Sequence, residues 1–334
     1  MVTLTALSLT PSARDWLATT TTARVLNTFD RACNLINQDA AILALVTSER
    51  GLNPFAMVVA SADPTIFQAV STTSAVSVEA PRLVVGPLQI NVASASLWNP
   101  MPDWPALRQM FADHPARFEE LVSTVMELAI GGSLLDLYLT PRPLARLLTR
   151  PSTATSLRSV SAQGAASGEG VPEVEDPANS GAGVRQQALL DRARRGAIEL
   201  VHGLLTRSTE QCLAGAKALA GLGGGLTPAG DDFIVGVMLA TWAGLYGSGA
   251  EALRQPIVEA AAPLTTTLSA AYLRAAARGE CMAQWHALFE ALLCSGAQAM
   301  RAAMRALMAI GHTSGADTLA GFLAVHYTAH GIIR

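Results

Sequence analysis

Residues 221–236 read GLGGGLTPAGDDFIVG, and the rest of the chain is read outward from them. Four glycines, Gly221, Gly223, Gly224 and Gly225, precede a Thr–Pro pair and two adjacent carboxylates. Glycine permits positive φ and leaves backbone N–H groups uncovered. Thr227 is a good helix N-cap, and Pro228 suits the first helical position, where a missing N–H costs nothing. Asp231 and Asp232 then fall in or near the first turn, where negative charge favours the helix dipole. An apolar run follows. Within it Gly236, Ala240 and Gly244 recur every four residues, a small-residue stripe against which another helix can pack closely.

A second stretch repeats the device. Residues 311–321 read GHTSGADTLAG. Thr313 can cap a helix, and Asp317 follows it by four residues, as Asp231 follows Thr227. Gly311 precedes Thr313 by two, as Gly225 precedes Thr227. One reading is a pair of matching loop-to-helix corners, an internal duplication, facing each other across one site. The other is two ordinary capped helix starts in a bundle.

The chain has 334 residues, half of them hydrophobic, enough for a large core and two domains. A net charge of −3 argues against nucleic acid as a partner, which demands a concentrated basic face. Cys33, Cys212, Cys281 and Cys294 lack metal-type spacing and read as reduced core thiols of a cytoplasmic protein. The N-terminus lacks a basic region followed by a long apolar core, so no signal peptide is expected. The longest apolar stretch, 233–246, is too short to span a bilayer, so no membrane partner is expected.

Residues 1–104 read as a mainly β domain. Short β-branched and aliphatic runs at 40–47, 55–60, 75–78, 82–85 and 88–95 are punctuated by Gly and Pro, which fits a small antiparallel sheet or barrel. Residues 25–35 fit strand or helix equally. From Pro105 the spacing of Leu107, Met110 and Phe111 turns helical, and residues 105–150 form a helical connection. Residues 151–184 are rich in Ser, Gly, Ala and Pro and read as a flexible insertion, since they cannot bury enough apolar surface to offset their ordering entropy. Residues 185–334 read as a helical domain carrying both corners, with helices near 186–205, 209–222, 228–246, 250–277, 281–294, 297–310 and 314–330. Pro256 and Pro263 are expected to break the fourth. The fold class is therefore α+β, a small N-terminal antiparallel β domain followed by a larger all-α helical domain.

The glycine loop is no Walker motif, because no Lys-Ser or Lys-Thr pair follows it. It is no dinucleotide fingerprint, because a helix precedes it. What remains is a helix start with free N–H groups that suits an anion. Two carboxylates beside it repel a phosphate unless a cation intervenes, but they accept well from the N–H donors of an amide or urea-like group. His312 is a candidate acid or base, or the cap of a turn. Arg274 and Arg278, downstream of Thr265, Thr266, Thr267 and Ser269, form either an anion-receiving face or a solvated basic one. His326 and His330 share a helix face without a third ligand. No metal and no cofactor is implied.

GLGGGLTPAGDDFIVG and IGHTSGADTLAGF, with TTTLSAAYLRAAARGE between them, resemble a bacterial family that includes the AllH-type subunit of oxamate carbamoyltransferase, from anaerobic allantoin (purine) degradation. FDRACNLIN and GLNPFAMVV in residues 24–60 resemble it more loosely. The resemblance implies a cytoplasmic subunit of a transferase complex. That complex exchanges a carbamoyl group between carbamoyl phosphate and oxamate, giving oxalurate, with other subunits and a small anionic substrate as partners. It points to Gly223, Gly225, Thr227, Gly230, Asp231, Asp232, His312, Thr313, Ser314 and Asp317 as positions that matter, without assigning their roles; by residue type, Asp231, Asp232, His312 and Asp317 are the candidate catalytic residues. Candidate substrate-binding residues are Gly223, Gly224, Gly225, Thr227, Gly230, Thr313, Ser314 and, from its anion-facing position, Arg274. The contrasting class is a non-catalytic scaffold or a small-anion or nucleotide-binding module.

Overall fold

A computed structural model of the chain describes residues 1–128, 133–135, 177–294 and 296–329. Nine strands come first: β1 (Val2–Leu9), β2 (Ala23–Phe29), β3 (Ala32–Asn37), β4 (Ile42–Thr47), β5 (Ala56–Ala60), β6 (Val76–Glu79), β7 (Arg82–Val85), β8 (Leu88–Asn91) and β9 (Ser96–Leu97). They form one sheet in the order β2-β3-β4-β5-β1-β8-β7-β6, with β9 beside β1. The path curls until its ends nearly meet, and Arg24 of β2 bridges Ala75 just before β6.

The expected small antiparallel domain is corrected here. β1 pairs in parallel with β8 and with β9, and β4 pairs in parallel with β5, so the sheet is mixed. It is also one nearly closed nine-stranded barrel carrying its own helix, α1 (Pro11–Thr19), capped by the Thr10 hydroxyl. Strand composition reports burial, not direction; the long connection from β1 to β8 allows either, and β4 and β5 run parallel across residues 48–55 alone. Residues 25–35, undecided by composition, turn out to be the β2–β3 hairpin.

β3 and β4 are buried at every position. One face, with Cys33, Leu35, Leu43 and Leu45, points into the barrel against Trp16 of α1. The other, with Ala32, Ile36, Ala44 and Val46, is covered by Leu268, Ala271 and Tyr272 of a helix from the second half. Strands covered on both sides lose the alternation of polar and apolar residues, which is why these two read as continuous apolar runs.

The remaining elements are helices: α2 (Trp104–Asp113), α3 (Pro115–Leu128), α4 (Pro177–Thr206), α5 (Thr209–Leu219), α6 (Ala229–Trp242), α7 (Arg254–Ala261), α8 (Thr267–Ala277), α9 (Ala283–Cys294), α10 (Ala297–Met308) and α11 (Ser314–Ala329). The Asp103 carboxylate caps α2 and Pro105 sits in its first turn. α4 begins at Pro177, nine residues before the expected start at 186. The proposed insertion lies, through residue 176, outside the described residues. Pro256 does not break a helix: it sits in the first turn of α7, where its missing N–H is harmless.

α6 is the central helix, apolar on all sides and buried almost throughout, as a core helix must be. It crosses α11 at two glycines. A Cβ on Gly236 would strike the Thr318 carbonyl, and one on Gly321 the Phe233 carbonyl. Gly244, expected in the same stripe, instead lies beyond the end of α6 with φ +81°, against Arg108. The second half docks on the barrel through α8, through Cys281 N–H on the Pro100 carbonyl (2.9 Å) and through Ala283 N–H on the Leu52 carbonyl (2.9 Å).

Candidate functional site

The glycine loop turns the chain back between α5 and α6. Gly221, Gly223 and Gly225 adopt φ of +66°, +115° and +89°, which other residues resist. The turn places Asp231, 1% exposed, beneath the loop it follows. Its Oδ1 accepts from Gly221 N–H (3.1 Å) and its Oδ2 from the Thr265 hydroxyl. Burial raises its pKa, opposed by bonds from Thr265, Gly221 and Ser269. Asp231 thus ties the loop to the start of α8, whose own cap is the Thr266 hydroxyl.

Thr227 does not cap α6. Pro228 occupies the cap position without a side-chain bond, and its carbonyl receives the N–H groups of Asp231 (3.0 Å) and Asp232 (3.2 Å). Gly230 N–H goes to the Leu222 carbonyl (2.9 Å). The Thr227 hydroxyl crosses to the second corner and meets Ser314 Oγ at 3.0 Å. The two corners therefore do touch.

They also match in packing. Gly230 lies against the Leu219 carbonyl at the end of α5, and Gly315 against the Leu307 carbonyl near the end of α10. Asp317, the counterpart of Asp231, is fully buried and accepts from Leu134 N–H (2.6 Å). In each corner the aspartate four residues after the threonine faces inward and organises backbone.

Asp232 is different. It is 8% exposed, lines a cavity of about 250 Å³, and its Oδ2 has no hydrogen-bond partner among the described residues. Burial chiefly, and the charges of Asp317 and Asp231, hold its carboxyl well above the usual range; the Ser314 and Thr227 hydroxyls pull it back. Burial and like charge favour the protonated form, which offers one donor and one acceptor.

The cavity lies at the seam of the two halves. Thr227, Asp232, Ser314 and Thr318 form its helical wall, and Phe29, Asn34, Val46 and Arg50 its barrel wall. Tyr272 of α8 stands between them, its ring edge-on to Phe55 at 4.8 Å between centroids. Burial pushes its hydroxyl up to about 12, eased by Arg50 and reinforced by Asp232, so it remains a neutral donor. Cys281 also lines the cavity, and burial raises its thiol well above the ordinary value.

Of the residues singled out by sequence, Thr227, Asp232 and Ser314 line the cavity, and Asp231, Gly230 and Asp317 lie behind it. Gly223, Gly224 and Gly225 are exposed, as are His312 and Arg274, and none of these lines the cavity; nor does Thr313, whose carbonyl takes the Asp317 N–H (2.8 Å). The barrel-wall residues Asn34 and Arg50, with Tyr272, were not singled out. His326 pairs with Glu119 (Nδ1–Oε1 3.4 Å), while His330 lies outside the described residues. Among the described residues no group of three His, Cys, Asp or Glu side chains is placed to hold a metal ion, and no helix is long and apolar enough to cross a membrane.

Fold and site together define a barrel-and-helix protein with a mostly apolar cavity at its seam that a few polar side chains enter, walled in part by two matching corners. Residues 219–326 match the family model of the oxamate carbamoyltransferase subunit AllH, and residues 5–97 that of the AllH family N-terminal domain. The two matches span most of the chain, which belongs to the AllH family. No solved structure matches it.

Proposed function

We propose that the chain is a working subunit of a carbamoyltransferase that exchanges a carbamoyl group between carbamoyl phosphate and oxamate, and that the seam cavity holds the amide-bearing acceptor. In that reaction the oxamate nitrogen attacks the carbamoyl carbon. A C–N bond forms, the C–O bond to phosphate breaks, and phosphate leaves with the electron pair. The proton lost from the nitrogen balances the hydrogenphosphate product.

One observation carries the reading: Asp232 lines the cavity, and its buried Oδ2 has no hydrogen-bond partner among the described residues. A buried polar atom without a partner is costly, and a ligand that pairs it recovers that cost. A neutral carboxyl, donor and acceptor side by side, complements a carboxamide, whose N–H and C=O also lie side by side. The hydroxyls of Thr227, Ser314 and Tyr272 supply further partners around it. The family description, which names a subunit, supports a larger assembly.

The test is to co-purify the chain with its partner subunits and measure phosphate release that depends on both carbamoyl phosphate and oxamate. Asp232→Leu, which removes both donor and acceptor, should lower turnover roughly tenfold or more, while Asp232→Asn, which keeps a donor and an acceptor in the same shape, should lose less. Full activity in an Asp232→Leu protein that keeps the parent's circular dichroism would exclude this cavity as the acceptor site.

A further inference from the structure

The two walls of the cavity differ in charge. Arg50, from the turn after β4, is the one cation among the lining residues, and its guanidinium makes no ion pair among the described residues. The opposing carboxyls are Asp232 and Glu280, and Glu280 already pairs with Arg278 (Oε2–Nη2 2.7 Å). Tyr272 lines the same cavity and feels the charge of both Arg50 and Asp232.

We propose that Arg50 and Asp232 read the two ends of one small α-amido carboxylate, its carboxylate on Arg50 and its amide on Asp232, and that the phosphate-bearing carbamoyl donor is held elsewhere in the assembly. This rests on the carbamoyltransferase reading and divides its labour. A guanidinium is a planar fork that matches a carboxylate with two parallel bonds. Asp232 accepts and donates at the other end. Among the described residues a phosphate dianion finds one lining cation here, beside the buried Asp232 carboxyl. The start of α6 offers little compensation, since the N–H groups of Gly230, Asp231 and Asp232 are already taken by Leu222 and Pro228. The donor site therefore falls to a partner subunit, which must present its carbamoyl carbon to the mouth of this cavity.

Calorimetry on the full chain alone tests the assignment, with oxamate, carbamoyl phosphate and inorganic phosphate as probes. Oxamate should bind, and the two phosphates should bind far more weakly or not at all. Arg50→Gln should weaken oxamate roughly tenfold or more, and Arg50→Lys less, since the ammonium keeps the charge without the fork. The Arg50 side chain is exposed and makes no ion pair among the described residues, so the variants should keep the circular dichroism of the parent. No oxamate binding, oxamate binding indifferent to Arg50→Gln, or carbamoyl phosphate bound as tightly as oxamate each overturns the assignment. Turnover of the assembled enzyme separates this from the broader reading. Arg50-dependent binding without oxamate-dependent turnover sinks the transferase reading and keeps the carboxylate site. Turnover unchanged by Arg50→Gln sinks the carboxylate site alone.

Discussion

Replacing Gly236 by alanine adds one methyl group where α6 crosses α11. That Cβ would sit 2.7 Å from the Phe322 nitrogen and still nearer the Thr318 carbonyl, where ordinary contact begins at 3.4 Å. Both obstacles are backbone, so no flexible side chain can yield, and the helices must separate by at least 0.7 Å. Overpacking of this kind costs about 1–3 kcal/mol, and occasionally more. Alanine returns about 1 kcal/mol of helix propensity. Because the clash is with backbone, the upper part of the range applies, and a net loss of about 2 kcal/mol is expected. The site should suffer as well. Asp232 rides on α6 and Ser314 on α11, and the 3.0 Å bond between Thr227 and Ser314 stretches out of hydrogen-bond reach under such a displacement. Urea unfolding followed by circular dichroism gives the stability, and oxamate calorimetry on the same sample gives the binding. Gly224→Ala is the control: nothing lies within 4 Å of its added methyl, so its unfolding should stay within about 0.5 kcal/mol of the parent. A Gly236→Ala protein that unfolds at the parent's urea concentration would refute the argument about the crossing.

Asp231→Ala should be far more damaging to stability than Asp231→Asn. The first strands the Gly221 N–H and the Thr265 hydroxyl in a buried site, at about 2–4 kcal/mol, while Asn retains an acceptor for one of them; parallel urea curves compare the two. The Asp232 carboxyl has a folded pKa raised well above its unfolded value, so its neutral form stabilises the fold below the ordinary carboxylate range. That contribution is lost as pH rises through the raised value, and Asp232→Asn should flatten this part of a stability-versus-pH curve. Iodoacetamide should label Cys294, which is exposed, well before Cys33, Cys212 or Cys281, which are buried; mass spectrometry of the native protein reads the order, and early labelling of Cys281 would contradict the closed packing around it.

The sequence was informative where chemistry is local. β4 to β8 announced themselves by β-branched residues between glycines and prolines, and both loop-to-helix corners by their Thr and Asp spacing. β1 was missed although VTLTALSL alternates as far as Ala6, because Thr3, Thr5 and Ser8 break up its apolar residues. Thr227 was misread as a cap because capping is judged from neighbours in sequence, whereas its hydroxyl bonds 87 positions away. The Thr265–Thr266 pair suggested an anion site from its composition, yet one hydroxyl clasps Asp231 and the other caps α8. Arg50 carries no local signal at all. It follows a strand on an ordinary turn, and only the docking of the barrel on α8 brings it opposite Asp232.

The position of β1 in the sheet has a consequence for how the protein is made. Of the nine strands this one is synthesised first, yet its neighbours are β5, β8 and β9, and its last pairing is Leu9 with Leu97. At about 5–20 residues per second, the remaining strands follow on the order of 5–20 s later. Throughout that interval a strand destined for the middle of the barrel has both edges bare, and distant pairings of this kind close slowly. The nascent barrel is therefore the part of the chain most in need of a chaperone, and slowing translation before residue 97 should lower the soluble yield more than slowing it in the helical half.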